Sequence, residues 1–270
     1  MPVTAFDSLP PCTVGFMNNP EILIATPAYE GNVKTGYVKS LFATQALLNN
    51  HGIKHDYMTL EISDIALARN YFASYMLERT NFTHLLFVDS DMTFANITVG
   101  RLLVQSKPLI GCVYPKRTID LKRVIELARQ HADTDAVLGL AHEFVVRYAA
   151  GPQEIQVTDG LARVAGLGMG LCLIGRSVFA GLLETGKLAT HEDFSKGAKF
   201  SRGPLNGPLY GFFDPMDSEQ GPLSEDLAFC ERWRTLCGGD VWALVEEQIG
   251  HIGPMEFSVP YIERLKQGEI

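Results

Sequence analysis

The sequence predicts an α/β fold in which helices flank a mostly parallel central sheet. Three observations carry that expectation. Short apolar runs stop at turn residues, stretches of helical period separate them, and 46% apolar residues are enough for a large core. In order, residues 21–27 (EILIATP) are an apolar run closed by a proline, the pattern of a buried strand. Residues 36–50 place Val38, Leu41, Phe42 and Leu48 on one helical face before the stop signal Asn50-His51-Gly52. A second strand follows at 53–60. Ser63 then stands as N-cap of a helix running to about residue 79, with Ile65, Ala68, Phe72 and Met76 as its stripe. Residues 83–88 (THLLFV) are continuous enough to be buried on both faces. A helix at 95–106 and a strand at 109–113 complete a βαβαβαβ run, which implies right-handed crossovers.

The second half is less regular. Strands are expected at 142–149, at 155–158 and within 162–174, then a short helix at 177–185. Residues 187–208 form a long polar segment rich in Gly and Ser, expected to be a lid, a binding loop or a disordered stretch. Ser224 precedes a helix carrying Leu227, Cys230, Trp233 and Cys237, which ends at Gly238-Gly239 before a strand at 241–245. Without a repeat or linker, all 270 residues are expected to form one domain.

Lys and Arg number 23 against 31 Asp and Glu, a formal charge of −8. That balance argues against nonspecific nucleic-acid coating and against an anionic membrane surface as partner, while leaving room for a local basic pocket. The five cysteines are scattered without a C-x-x-C pair, so no zinc knuckle or disulfide framework is expected. No apolar stretch approaches the ~18 residues of a spanning helix, and the first residues lack a basic leader pattern. The expected compartment is cytoplasmic.

Chemistry concentrates in three places. Asp89-Ser90-Asp91 directly follows the strand 83–88, at the carboxyl end where open α/β sheets bind ligands. Carboxylates at i and i+2 on such a turn can converge on Mg or Mn, although D-x-D also occurs as a solvated turn. Glu225-Asp226 opens a helix, where acidic residues favour the macrodipole or supply a general base. His251, between glycines and just past a strand, either completes a metal shell or serves as a buried structural histidine. The Gly166-x-Gly168-x-Gly170 run leads into a strand rather than a helix, which excludes a dinucleotide fingerprint. Its glycines read as a bulged strand or as a place where a ligand approaches the backbone.

Taken in order, these features resemble glycosyltransferases of the GT-A fold, bacterial and phage-type members of family 2 in particular, and are similar to the Anp1-type mannosyltransferase group. The resemblance rests on Ala25-Thr-Pro-Ala-Tyr29, Ala68-Arg-Asn70, His84 to Asp91, Gly111 to Lys116, Gly168 to Arg176, Ser224-Glu-Asp226 and His251, and spans residues 22–257. It implies a Rossmann-like sheet with a smaller acceptor-side subregion: a nucleotide-sugar half at about 20–118 and an acceptor-side half at about 140–258. It implies Asp89, Asp91 and His251 as ligands of Mn2+ or Mg2+. Thr26, Pro27, Tyr29, Arg69, Asn70, Asp89, Ser90, Lys116, Gly168 and Gly170 would contact a nucleotide-sugar donor, a UDP-sugar by default. Asp226 or Glu225 would serve a hydroxyl acceptor, whether glycan, small molecule or modified phage DNA. The residues alone leave Arg69 open as a solvated helical side chain, Tyr29 as a packing residue and Lys116 as a loop cation. Rival functions are a nucleotidyltransferase, which calls for a glycine- and base-rich phosphate loop that residues 26–34 provide poorly, and a non-catalytic sugar- or nucleotide-binding module.

Overall fold

In the computed structural model, six of the eight strands of the central sheet run in one direction, and their carboxyl ends define the edge on which the predicted site lies. The structure describes residues 19–79, 81–130, 133–148, 155–191, 205–219, 221–253 and 256–266. In chain order the first half comprises β1 (Glu21–Pro27), α1 (Thr35–Asn50), β2 (Lys54–Leu60), α2 (Ile65–Glu78), β3 (His84–Val88), β4 (Met92–Thr93), α3 (Asn96–Val104) and β5 (Leu109–Cys112). There follow β6 (Pro115–Ile119), α4 (Leu121–Ala128), α5 (Thr134–Ala141), β7 (His142–Phe144), β8 (Val146–Arg147), β9 (Val157–Thr158), β10 (Leu161–Val164), β11 (Gly166–Leu167) and β12 (Leu171–Gly175). The chain continues through α6 (Arg176–Glu184), β13 (Thr190–His191), β14 (Leu209–Tyr210), β15 (Met216–Ser218), β16 (Gly221–Leu223) and α7 (Glu225–Cys237). It closes with β17 (Val241–Leu244), β18 (Gln248–Ile252), β19 (Glu256–Pro260) and α8 (Tyr261–Lys266).

The sheet order is β2-β1-β3-β12-β5-β17-β10-β9. Strands β2, β1 and β3 pair in parallel, as do β5 and β17. The antiparallel β12 lies between β3 and β5, so its first residues start at the edge where those two strands end. Alternation does the rest. Ile22, Ile24, Leu86 and Val88 face one apolar cluster with α1 and α3, whereas Leu23, Ala25, Leu85 and Phe87 face another with α2, α6 and α7. The fold class is therefore the predicted one, α/β with a mostly parallel sheet between helical layers.

The local differences have local causes. Asp64, not Ser63, caps α2, its carboxylate accepting from Leu67 N–H at 3.0 Å. Helices α4 and α5 go unmarked in the periodicity because each spans only eight residues; Asp120 and Asp133 cap them through their side chains. Ser224 is the N-cap residue of α7 but makes no side-chain cap hydrogen bond. His251 lies within β18 rather than after a strand, paired with β4 on one side and β19 on the other. The chain after residue 257 continues β19 and forms α8, where Tyr261 packs edge-on against Phe144 at 4.6 Å. Most of the expected loop at 187–208 lies outside the described residues.

Candidate functional site

The Asp89-Ser90-Asp91 turn is pinned by backbone bonds from three segments. Asp89 N–H donates to Gly170 O (2.9 Å) and Met92 N–H to Asp89 O (3.1 Å). Lys34 N–H donates to Ser90 O (2.9 Å), and Ile252 N–H to Asp91 O (2.8 Å). The two carboxylates therefore leave a rigid turn, and they leave it toward different neighbours.

Asp89 faces Arg69. The guanidinium, only 1% exposed, reaches from α2 beneath the sheet edge and lies 5.1 Å over the Phe87 ring. Its Nη2 donates to Asp89 Oδ2 at 3.1 Å, and Nε is 3.2 Å from Asp226 Oδ1 and 3.8 Å from Glu225 Oε1. The Nε–Oδ1 approach is close but misaligned for a hydrogen bond. Arg69 Nε and Nη1, Asp89 Oδ1 and Asp226 Oδ1 are consequently buried without hydrogen-bond partners. One cation thus serves three carboxylates, from the turn after β3 and the first turn of α7. Burial pushes Asp226 up to about 8, with Glu225 and Asp89 adding to the rise and Arg69 opposing it. Met169 N–H secures its other oxygen, Oδ2, at 3.0 Å.

Asp91 faces His251 and Arg117. His251 Nδ1 lies 2.9 Å from Pro115 O, which only an N–H can satisfy. That bond fixes the ring and turns Nε2 toward Asp91 Oδ2, 3.5 Å away. Tyr114 meets the imidazole edge-on at 5.3 Å. Arg117 donates to the same Asp91 oxygen at 2.9 Å. Burial would raise the Asp91 carboxyl, but His251 and Arg117 outweigh it and hold it below its ordinary value. Asp91 and His251 form a carboxylate–imidazole pair whose ring is oriented from behind, whereas the Asp89 oxygen nearest a partner is engaged by Arg69. Among the described residues, no three His, Cys, Asp or Glu side chains converge as a ready metal cluster.

The other predicted contacts divide. Tyr29, 58% exposed, and half-buried Pro27 border the edge at the end of β1. Thr26 turns inward, its hydroxyl 2.6 Å from the Tyr37 hydroxyl. Lys116 is committed to Glu143 at 2.8 Å. Asn70 points away from the turn; its amide donates to Asp214 Oδ1 (2.7 Å) and accepts from Phe213 N–H (2.7 Å). It braces the segment before α7, where His191 Nε2 also approaches Asp214 Oδ2 at 2.8 Å. Gly168 and Gly170 are buried under Tyr114, whose ring occupies the space a ligand would need. A Cβ at Gly168 would fall 2.1 Å from the Tyr114 oxygen, and Gly170 N–H donates to that oxygen at 3.1 Å. Tyr114, whose ring meets His251, and His191, which pairs with Asp214, are the residues not foreseen individually. The pairing of His191 with Asp214 has no local signal.

No protein-family model matches the sequence, and no curated protein matches it either. Among solved structures, the chain is similar to A197 from STIV, with 16% identity, TM-score 0.44 and 86% of each chain covered. It is also similar to GalNAc-T7, a structure holding UDP, GalNAc and Mn2+, at 11% identity and TM-score 0.43, covering 87% of this chain but only 43% of that one. A third is a glycosyltransferase involved in glycosylation of the major capsid of PBCV-1, at 10% identity and TM-score 0.27, covering 68% of this chain and 72% of that one. No helix among the described residues is long and apolar enough to cross a membrane.

Proposed function

We propose that the chain is a metal-dependent glycosyltransferase that moves a sugar from a nucleotide-sugar donor, a UDP-sugar by default, to a hydroxyl acceptor. The observation that carries the proposal is the Asp91–His251 pair at the carboxyl edge of the parallel sheet, with His251 locked by Pro115 O so that Nε2 and Asp91 Oδ2 confront each other at 3.5 Å. This donor set suits Mn2+ or Mg2+: a carboxylate held ionised and an imidazole whose remaining nitrogen points inward. Arg117 is half exposed and can swing off Asp91, so the pair can open. Bound there, a divalent cation offsets charge developing on a leaving nucleoside diphosphate.

The remaining roles belong to side chains already in place. Arg69 holds Asp89, Glu225 and Asp226 in one cluster, so the turn after β3 and the start of α7 stay in fixed relation. Asp89 and Ser90 then stand on the donor side with Pro27 and Tyr29, within the nucleotide-sugar half at 20–118. Asp226 or Glu225 stands on the acceptor side at 140–258. A carboxyl raised toward neutrality by burial is suited to accept a proton from an acceptor hydroxyl. Screening UDP-, GDP- and CMP-sugars by thermal shift with Mn2+ tests the donor class. A Mn2+-dependent rise with one nucleotide sugar, lost in Asp91→Ala, is expected; no rise with any of them, or a rise unchanged in Asp91→Ala, counts against the proposal.

A further inference from the structure

Two of the largest exposed aliphatic side chains occupy one face of one short helix. Leu121 and Ile125 of α4 are 66% and 57% exposed, and they stand one turn apart. The opposite face is the one that packs: Leu127 is buried against Val137, Leu140 and Ala141 of α5, with Val124 alongside. Lys122 and Arg129 are exposed, and at 100° per residue they flank the Leu121–Ile125 stripe on one side. On α4 and at its C-cap, Lys122, Arg123 and Arg129 stand against exposed Glu126, three basic residues to one acidic, with Asp120 capping the helix; Lys116 and Arg117 of β6 are paired with Glu143 and Asp91. The whole chain carries −8, so α4 is a local reversal of the charge that governs the rest of the surface.

We propose that the exposed face of α4 docks on an anionic phospholipid bilayer. Aliphatic side chains beside long cations match a headgroup boundary, where Leu and Ile enter the acyl edge and Lys and Arg stems extend to the phosphates. Charge selects this partner over a second copy of the chain, because pairing this face on itself sets Lys122 and Arg129 against their own counterparts. It is selected over nucleic acid because α4 carries no aromatic side chain on which a base can stack. The acidic remainder of the molecule is repelled by the same surface, which orients α4 toward it. Whole-chain composition argued against such a partner; the sign of charge around α4 reverses that expectation for one face only. The inference is independent of the donor chemistry at the site.

Co-sedimentation of the full chain with vesicles of phosphatidylcholine containing about a third phosphatidylserine tests the proposal, with pure phosphatidylcholine vesicles as control. Binding to the anionic vesicles is expected to exceed binding to the control by at least about fivefold, roughly the contribution of one basic residue, and to fall as salt is raised. The double variants Leu121→Asn/Ile125→Asn and Lys122→Glu/Arg129→Glu are each expected to lose at least that factor with unchanged thermal midpoints. Phe42→Asn, which removes an exposed aromatic on α1, is expected to bind as the parent does. The proposal is overturned by absence of binding to anionic vesicles, by equal binding to both vesicle types, or by full binding of either double variant. It is also overturned by a dimer in sedimentation velocity that Leu121→Asn/Ile125→Asn dissociates.

Discussion

Replacing Arg69 by Met removes the cation from a cluster that holds three carboxylates. At an effective dielectric of about 20, each contact between 3.1 and 3.8 Å is worth about 4–5 kcal/mol of attraction. Much of that sum offsets the cost of taking the guanidinium out of water and of holding Asp89, Glu225 and Asp226 together. What survives is the usual loss on breaking a buried pair from one side, about 3–5 kcal/mol, because the carboxylates stay behind without their counter-ion. With a urea slope of about 2–3 kcal/mol per molar, the denaturation midpoint at pH 9 should fall by roughly 1–2 M. The deficit should also depend on pH. Asp226 is raised toward about 8 in the parent, and Arg69 is the cation that lowers it. Without Arg69 it holds its proton to still higher pH in the folded state, so the folded variant binds more protons than the unfolded chain above the ordinary carboxylate range. The parent holds the same proton up to about 8, so the deficit stays nearly level below that pH; above it only the parent releases the proton, and the deficit is larger at pH 9 than at pH 6. Urea titrations of both proteins at the two pH values measure this directly. A loss below about 1 kcal/mol at pH 9, or an equal loss at both pH values, would refute the reasoning.

Three further outcomes follow from the same geometry. Asp226→Asn removes a group whose raised folded pKa costs stability as pH climbs from the carboxylate range through about 8. The variant should be more stable than the parent by about 1–3 kcal/mol at pH 8, equal to it near pH 4, and deficient in transfer, as thermal melts and a turnover assay would establish. Gly168→Ala drives a methyl group into the Tyr114 hydroxyl and should cost about 1–3 kcal/mol; Tyr114→Phe should recover part of that loss, and strict additivity of the two substitutions in urea denaturation would count against the packing. His251→Gln should weaken Mn2+ affinity about 10–100-fold in a titration followed by the ion's paramagnetic signal, while Lys116→Gln, whose partner is Glu143, leaves that affinity unchanged.

The parts of the fold that sequence resolves are those whose signal is local. β1 is recovered at its full length because a run of apolar residues buried on both faces ends at a proline. α1, α2 and α3 follow from periodicity between such runs. The Arg69 cluster is not local: it joins residues 69, 89 and 225–226, and only the sheet order that inserts β12 beside β3 brings α7 to the same edge. On its own helix Arg69 reads equally well as a solvated cation. Gly168 and Gly170 illustrate the opposite limit. Their lack of a side chain is legible, but what fills the space is Tyr114, more than fifty residues earlier in the chain. Asn70 is similar, since its partners Phe213 and Asp214 come from the far side of the sequence. His251 stands out in the sequence by its flanking glycines, but its orientation depends on Pro115 O, a backbone atom that residue patterns do not advertise.

The central claim is that Asp91 and His251 seat the cation on which sugar transfer depends. The most direct test follows nucleoside diphosphate released from a UDP-sugar, alongside pyrophosphate, for the parent chain with Mn2+, for the parent with a chelator, and for Asp91→Ala with Mn2+. The account predicts diphosphate release by the parent with Mn2+ alone and at least a hundredfold less in the other two, without pyrophosphate in any. Full release by Asp91→Ala, or pyrophosphate as the product, would contradict it.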